Sequence, residues 1–413
     1  MNKTIFPSIV SGTVLAPASK SVAQRAIAIA SLIAGRSEII NPGKSEDVQA
    51  ALGVCRTLGV SVKELPGKVY ICGTIKPPSE PLNCRESGLS VRMFSSIASL
   101  LDQEVILTGE GSLLNRPMGI VEETLVGFGV KCKLNNGRLP VTLKGPLLGG
   151  EAHIDGSVSS QVLTGMLIAS PYAKSDVRIF VSNLQSIPYI DITINLMSSF
   201  GVEVKNKNYR EFFIRSGQKY KPCTYVVEGD WSGASFFLVA GAIAGRVEVE
   251  GLYYSSNQAD RAIIDALLYA GAFVSIRDKS VEVKKKKLIG FEFDATHCPD
   301  LFPPLVALAT HCQGTTTLTG VSRLRAKESD RAATLVEEFS KLGVDIQVKG
   351  EQLIITGSKP KGGVVDAHGD HRIAMALAIA ALNGNGPVEI TGAEAVAKSY
   401  PEFFKDLETL LPI

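Results

Sequence analysis

One tryptophan, seven cysteines with no CxxC pair, and five histidines without metal-ligand spacing leave this 413-residue chain few of the usual markers of chemistry. Scattered cysteines in odd number argue against a disulfide framework and suit reduced thiols in a cytosol. The histidine spacing gives no metal site, so no metal is expected. Charge of one sign is not in excess either. Lysine plus arginine number 43, aspartate plus glutamate 41, and the formal net charge is +2. That balance excludes the broad electropositive surface of a nucleic-acid or anionic-membrane protein, though not a local basic pocket. The one basic run, Lys284–Lys287, reads as a solvated strand edge. No uncharged apolar run reaches the ~18 residues of a membrane span. The N-terminus shows no basic segment leading into an apolar one, so no signal peptide is read and a cytoplasmic location is expected.

Glycine is what the chain has, 39 in all, and five of them keep a period. Gly59, Gly129, Gly201, Gly271 and Gly343 lie 70, 72, 70 and 72 residues apart, four of them in the dipeptide GV. A fixed interval is read as a structural unit repeated. Each unit opens with a polar turn and a helix rich in Ala, Ile and Leu, as in SKSVAQRAIAIASLIAG from Ser19 to Gly35. These helices are apolar nearly all round and are expected to be buried on every side. A short β-type run follows, then a helix apolar on one face, with Val48, Ala51, Leu52, Cys55 and Leu58 at helical spacing in the first copy. The periodic glycine then supplies a left-handed C-cap. A hairpin closes the unit, its turn marked in the second copy by Asn136-Gly137. The unit is βαβαββ, with its opening strand expected from the preceding hairpin.

Six units share five internal hairpins, so one strand must come from elsewhere, and KTIFPSIVSGTVLAP before Ser19 is the donor expected. Three units on each side of a boundary near Glu228 then give two domains: residues 1–18 with 229–413 as the lower, and 19–228 as the upper. The chain crosses near 18 and near 228, which makes a hinge. A chain of this length affords two or three domains and a large core.

Helix starts bind anions through free N–H groups and the helix dipole, and here several also carry a cation: Lys20, Arg25, Arg92 and Arg372. The second helices or their entry loops add Arg116, Lys327, Arg331 and Lys398. Singly, each reads equally well as an interior ion-pair partner or a solvated residue. Recurring at the same places in a repeated unit, they point to a site that gathers phosphates and a carboxylate. Asp300 starts the fifth buried helix, where a cap is the plain alternative. Glu328 lies between Lys327 and Arg331, as a surface pair or as a general acid/base group. Ser159, Ser160 and Gln161 open another helix and say little alone.

The segments ASKSVAQRA, LLNRPMG, SSQVLTG, QSIPYIDIT, VEGDWSGAS, RAKESDRA, GDHRIAMA and AKSYPEFF, in this order across essentially the whole chain, resemble the EPSP synthase family. The resemblance implies an α/β fold of two inside-out α/β barrel domains of the enolpyruvyl transferase type, six βαβαββ repeats, three per domain, with the active site in the cleft between them. It implies transfer of the enolpyruvyl group of phosphoenolpyruvate to the 5-hydroxyl of shikimate 3-phosphate through a tetrahedral intermediate, with release of phosphate, in the shikimate pathway. No cofactor is implied, and a monomer is expected, with two small-molecule substrates as its partners and neither nucleic acid nor membrane.

Carried over by motif, Lys20, Ser21, Arg25, Ser159, Ser160, Gln161, Ser186 and Lys327 would hold shikimate 3-phosphate, with Tyr189 beside it. Lys20, Gly88, Arg116, Gln161, Arg331, Arg372 and Lys398 would serve phosphoenolpyruvate. Asp300 would accept the 5-hydroxyl proton and Glu328 would protonate the methylene carbon, with Lys20 also in the catalytic set. One stretch departs from the family's pattern: ESGLSVRMF has Glu86, Leu89 and Met93 where Asn, Thr and Pro are common, while Gly88 and Arg92 remain. Glu86 would pair with Arg92 or a nearby lysine, or would weaken anion binding. Arg323 stands where many members have Asn and receives no role. The related UDP-N-acetylglucosamine enolpyruvyl transferases use Lys-Asn after their first strand and a loop cysteine. This chain has Lys20-Ser21 and a cysteine-free EGSLLNRPMG.

Overall fold

In the computed structural model, which describes residues 1–157, 160–325 and 327–412, the chain forms two compact units. One is Ala18–Val227, continuous in sequence; the other joins Met1–Pro17 to Glu228–Ile413. Each has its own hydrophobic core.

The glycine period has a local cause. All five glycines have left-handed φ, from 76° to 86°. In each case the amide after the glycine donates to a carbonyl five residues back. The pairs are Val60 to Cys55 (3.0 Å), Val130 to Leu125 (3.0 Å), Val202 to Met197 (2.9 Å), Ala272 to Leu267 (2.9 Å) and Val344 to Phe339 (3.0 Å). This is the Schellman closure, which satisfies an orphan carbonyl and brings the residue after the glycine against the last turn. Both residues of every pair are buried, which explains why the glycine is followed by valine or alanine.

The units of the repeat build six separate sheets. In the second copy, Leu82–Asn83 runs parallel to Glu104–Thr108, which pairs antiparallel with Arg138–Lys144, and that strand with Lys131–Asn135. Asn136 (φ 50°) and Gly137 (φ 74°) make the hairpin turn. The other sheets keep this order of strands, the sixth lacking its outer one among the described residues. Strands such as Arg138–Lys144 and Val177–Ser182 bury every second residue and leave those between exposed or half-buried, so one face meets the core. The helices Gly88–Ala98 and His371–Ala381 are buried along their whole length, and Trp231–Ala244 at all but Ser232. In each unit the buried layer is helical, therefore, and sheets flank it. Close crossings need small residues: a Cβ on Gly165 would lie 2.8 Å from Ser96 Oγ and 2.9 Å from the Arg92 carbonyl oxygen.

The opening strand is not borrowed from the preceding hairpin, as the sequence suggests. It is a further strand after the hairpin, as short as Leu82–Asn83. For the first copy it comes from the far end of its unit: Thr224–Val226 pairs parallel with Arg36–Ile40. For the fourth copy Val10–Leu15 pairs parallel with Gly245–Glu250. Lys3–Ile5 adds antiparallel to Val388–Thr391 in the sixth. The N-terminal segment thus donates two strands to the unit it shares with residues 228–413. Among the described residues, no helix is long and apolar enough to cross a membrane.

Candidate functional site

In Ala18–Val227 the starts of three buried helices are tied together by polar side chains. The first helix, Lys20–Ala30, begins at Lys20 itself. Its Gln24 Oε1 accepts from Ser87 Oγ (2.8 Å) and Ser90 Oγ (3.0 Å), at the start of Gly88–Ala98. Arg25 links the first helix to the third, Ser160–Ala169: Nη2 donates to Thr164 Oγ1 at 3.4 Å, Nε to Thr193 Oγ1 at 2.9 Å, and Nη1 to the Ser21 carbonyl at 2.7 Å. Arg92 links the second to the third, Nη1 donating to Gln161 Oε1 at 2.9 Å and to the Gly88 carbonyl at 3.1 Å.

Two cations here have opposite settings. Lys20 Nζ donates to Asp47 Oδ2 at 2.7 Å, with little of either side chain exposed. Arg25, 1% exposed, meets hydroxyls, a carbonyl and the Tyr189 ring at 6.0 Å. Among the described residues no carboxylate pairs with it. Burial pulls its guanidinium down to about 10, so it stays charged at neutral pH. A buried cation without a counter-charge is costly, and the ion-pair alternative for Arg25 therefore fails.

Gly88 is small for a reason visible in space. A Cβ there would lie 2.7 Å from Arg116 Nη1, 2.9 Å from Arg92 Nη1 and 3.7 Å from Gln161 Oε1. The helix start at Gly88 is thus ringed by two guanidinium groups and an amide. Arg116 is buried and follows the 3-10 turn Gly111–Asn115. Ser186 caps Ile187–Ser199 in a left-handed conformation, φ 56° and ψ 41°. A strained non-glycine backbone of this kind is a mark of functional positions, and nothing in the sequence signals it. Ser160 and Gln161 open their helix; Ser159 lies outside the described residues.

In the other unit the carboxylates organise the cations. Asp300 sits in the 3-10 turn Pro299–Leu301 before the helix Phe302–Ala309, so it does not itself start that helix. Its carboxylate instead accepts from Arg331 Nη1 (2.8 Å), Arg372 Nη2 (3.1 Å) and Lys327 Nζ (3.3 Å). Burial alone would raise its pKa, but Arg372, Lys327 and Arg331 together hold it well below the usual carboxylate range. Arg331, 1% exposed, also gives Nη2 to Glu328 Oε2 at 2.6 Å and Nε to Asp370 Oδ2 at 2.8 Å. Burial works against its charge, yet Asp370, Glu328 and Asp300 push it above its ordinary value. Asp370 caps His371–Ala381 by accepting from the Arg372 amide at 3.0 Å. Lys398 is buried at the end of the 3-10 turn Ala393–Lys398.

A further buried carboxylate here is not foreseen by the sequence. Asp260, 1% exposed, accepts from Ser232 Oγ. Burial and then the neighbouring Asp300 push it up to about 7, against the pull of Arg372. Asp47 and Asp370 likewise escape the sequence reading as partners of predicted cations, because an acid near a helix start reads first as a cap or a surface residue.

The family model for EPSP synthase (3-phosphoshikimate 1-carboxyvinyltransferase) matches residues 6–407. A relative named 3-phosphoshikimate 1-carboxyvinyltransferase from Clostridium novyi (strain NT) is 40% identical over 420 residues, covering 98% of this chain and 97% of its own. Another of that name from Methanobrevibacter smithii is 38% identical, covering 99% of this chain and 97% of its own. A structure of EPSP synthase from Acinetobacter baumannii superposes with a TM-score of 0.84 at 28% identity, over 99% of this chain and 98% of that one. The enolpyruvyl transferase NikO from Streptomyces tendae, at 17% identity and a TM-score of 0.78 over 98% of this chain and 96% of its own, shares the fold alone.

Proposed function

The chain belongs to the EPSP synthase family, and on that premise we propose how its residues divide the work. The reaction is transfer of the enolpyruvyl group of phosphoenolpyruvate to the 5-hydroxyl of shikimate 3-phosphate, with loss of inorganic phosphate, in the shikimate route to aromatic amino acids.

Lys20, Ser21, Arg25, Ser159, Ser160, Gln161, Ser186 and Lys327 hold shikimate 3-phosphate, with Tyr189 beside it. The observation that carries this reading is Arg25, a buried guanidinium for which no carboxylate stands among the described residues. A phosphate would supply the missing counter-charge. Arg116, Arg331, Arg372, Lys398, Lys20 and Gln161 hold phosphoenolpyruvate, and Gly88 leaves it room. Two polyanions repel, and this set of cations offsets that repulsion.

Glu328 protonates the methylene carbon of phosphoenolpyruvate. The 5-hydroxyl oxygen attacks the adjacent carbon, and Asp300, kept ionised by its cations, takes the hydroxyl proton. The resulting tetrahedral adduct loses a methyl proton and expels phosphate, restoring the double bond. Neither step requires a metal or an organic cofactor. We read the protein as a cytoplasmic monomer; its seven cysteines, all free of disulfides, suit a reducing compartment, and light scattering tests its mass.

The test is phosphate release from phosphoenolpyruvate, with shikimate 3-phosphate as acceptor and UDP-N-acetylglucosamine as the control. Release with the first alone supports the reading, and release with the second alone overturns it.

A further inference from the structure

Glu86 is the residue that departs most in charge from the pattern its surroundings otherwise keep, and its carboxylate has a definite place. Oε2 accepts from the Ser112 amide at 3.0 Å and from Ser112 Oγ at 2.7 Å. Ser112 is the second residue of the 3-10 turn Gly111–Asn115, and Arg116 is the residue that ends it. The first amides of a helical turn lack partners within it, and an anion there is favoured by both hydrogen bonding and the local dipole. The fit is tight: a Cβ on Gly111, whose φ is 51°, would lie 2.5 Å from the Glu86 carboxyl carbon.

The same two stretches are joined at further points. The Glu110 amide donates to the Arg85 carbonyl at 2.8 Å, and Asn83 Nδ2 donates to Glu110 Oε1 at 2.7 Å. Leu113 is fully buried and anchors the middle of the turn, and the Arg116 amide donates to its carbonyl at 3.1 Å. Residues 83–86 thus form a cradle for the loop that delivers Arg116, and two residues on stands Gly88, over which the Arg116 guanidinium lies.

We infer that Glu86 is a positioning residue for phosphoenolpyruvate: by holding the start of the Gly111–Asn115 turn it fixes Arg116 over Gly88. Its carboxylate takes a turn amide and a hydroxyl and in that way serves the cation site. This rests on the reading in which Arg116 binds phosphoenolpyruvate, and the variants are chosen to separate the two.

Steady-state kinetics would compare Glu86→Ala, Glu86→Gln, Ser112→Ala and Arg116→Ala, with the thermal midpoint of each. Glu86→Ala should raise the KM for phosphoenolpyruvate by ~10-fold, with the KM for shikimate 3-phosphate within about twofold of the parent and kcat within about threefold. Glu86→Gln keeps an acceptor oxygen for the Ser112 amide and should restore most of the loss. Ser112→Ala, which removes only the hydroxyl donor, should raise the same KM by ~3-fold and stands in should Glu86→Ala fail to fold. A normal phosphoenolpyruvate KM in Glu86→Ala, or in Ser112→Ala where Glu86→Ala fails to fold, overturns the inference while Arg116→Ala still raises that KM. A normal KM in Arg116→Ala overturns the underlying reading, and the inference with it. Equal losses for both substrates would mark Glu86 as merely structural.

Discussion

Replacing Arg331 with leucine should expose how much of one unit's stability hangs on a single guanidinium. Its three nitrogens serve Asp300 at 2.8 Å, Glu328 at 2.6 Å and Asp370 at 2.8 Å, and its side chain is 1% exposed. Leucine fills part of the volume and leaves three carboxylates facing one another. Removing one partner from a buried ion pair costs about 3–5 kcal/mol. Two carboxylates ~5 Å apart repel by about 3 kcal/mol at an effective dielectric of 20, which is within that range and is not added to it. We therefore expect a loss of about 4 kcal/mol at pH 8, from a total of about 5–15 kcal/mol. In the parent, the depressed pKa of Asp300 means its contribution is fully present above the usual carboxylate range and is lost as pH falls through the lower folded value. In the variant the share owed to Arg331 is gone while Arg372 and Lys327 still hold Asp300, and the carboxylates freed of Arg331 take up protons more readily, which relieves their repulsion. The loss should therefore shrink toward ~2 kcal/mol at pH 5. Urea unfolding at both pH values, compared at equal m, measures it. Arg331→Lys should recover only part, since one ammonium cannot reproduce the planar fork. A loss below ~1 kcal/mol, or one that does not change between pH 5 and 8, would refute the reasoning.

Asp260→Asn should flatten a second pH dependence. The folded chain holds that proton to about 7, the unfolded chain releases it near 3.8, and so stability falls as pH rises between the two. The slope is worth on the order of 4 kcal/mol at most, and the variant should melt higher than the parent at pH 8; an unchanged slope would clear Asp260. Glu328→Gln should lower kcat by at least ~100-fold while calorimetry finds both substrates bound as before, and an equal loss in binding would remove it as the acid. Gly88→Ala places a methyl 2.7 Å from Arg116 Nη1 and 2.9 Å from Arg92 Nη1. It should raise the phosphoenolpyruvate KM by ~10-fold or more, and an unaffected KM would show that the guanidinium groups yield freely.

The repeat could be read from sequence because one backbone requirement recurs in it. A Schellman closure needs a left-handed residue and an apolar one after it, so the same dipeptide returns wherever the same helix ends. The opening strands could not be read so well. Leu82–Asn83 is two residues long and carries no alternation, and the partners of Thr224–Val226 and Val10–Leu15 lie far off in sequence. In the site, the cations were legible because they stand at helix starts where nothing apolar explains them. Their carboxylate partners were not: Asp47 lies 27 residues from Lys20, and Asp370 lies 39 from Arg331. Asp370 does act as the cap its position suggests, and bonds Arg331 as well. The left-handed backbone of Ser186 and the seat of Glu86 on Ser112 depend on tertiary contacts, and no local pattern encodes them.

The strand exchange sets an order for synthesis. Val10–Leu15 leaves the ribosome early, yet its partner strand ends at Glu250, and the partner of Lys3–Ile5 begins at Val388. At about 5–20 residues per second, the first waits roughly 12–50 s and the second longer still. Ala18–Val227 is closed sooner, because Thr224–Val226, the last strand to join Arg36–Ile40, lies within it. Residues 3–15 are thus made long before they can be clasped, and they travel through translation as unsatisfied β-strands that nascent-chain chaperones would be expected to hold.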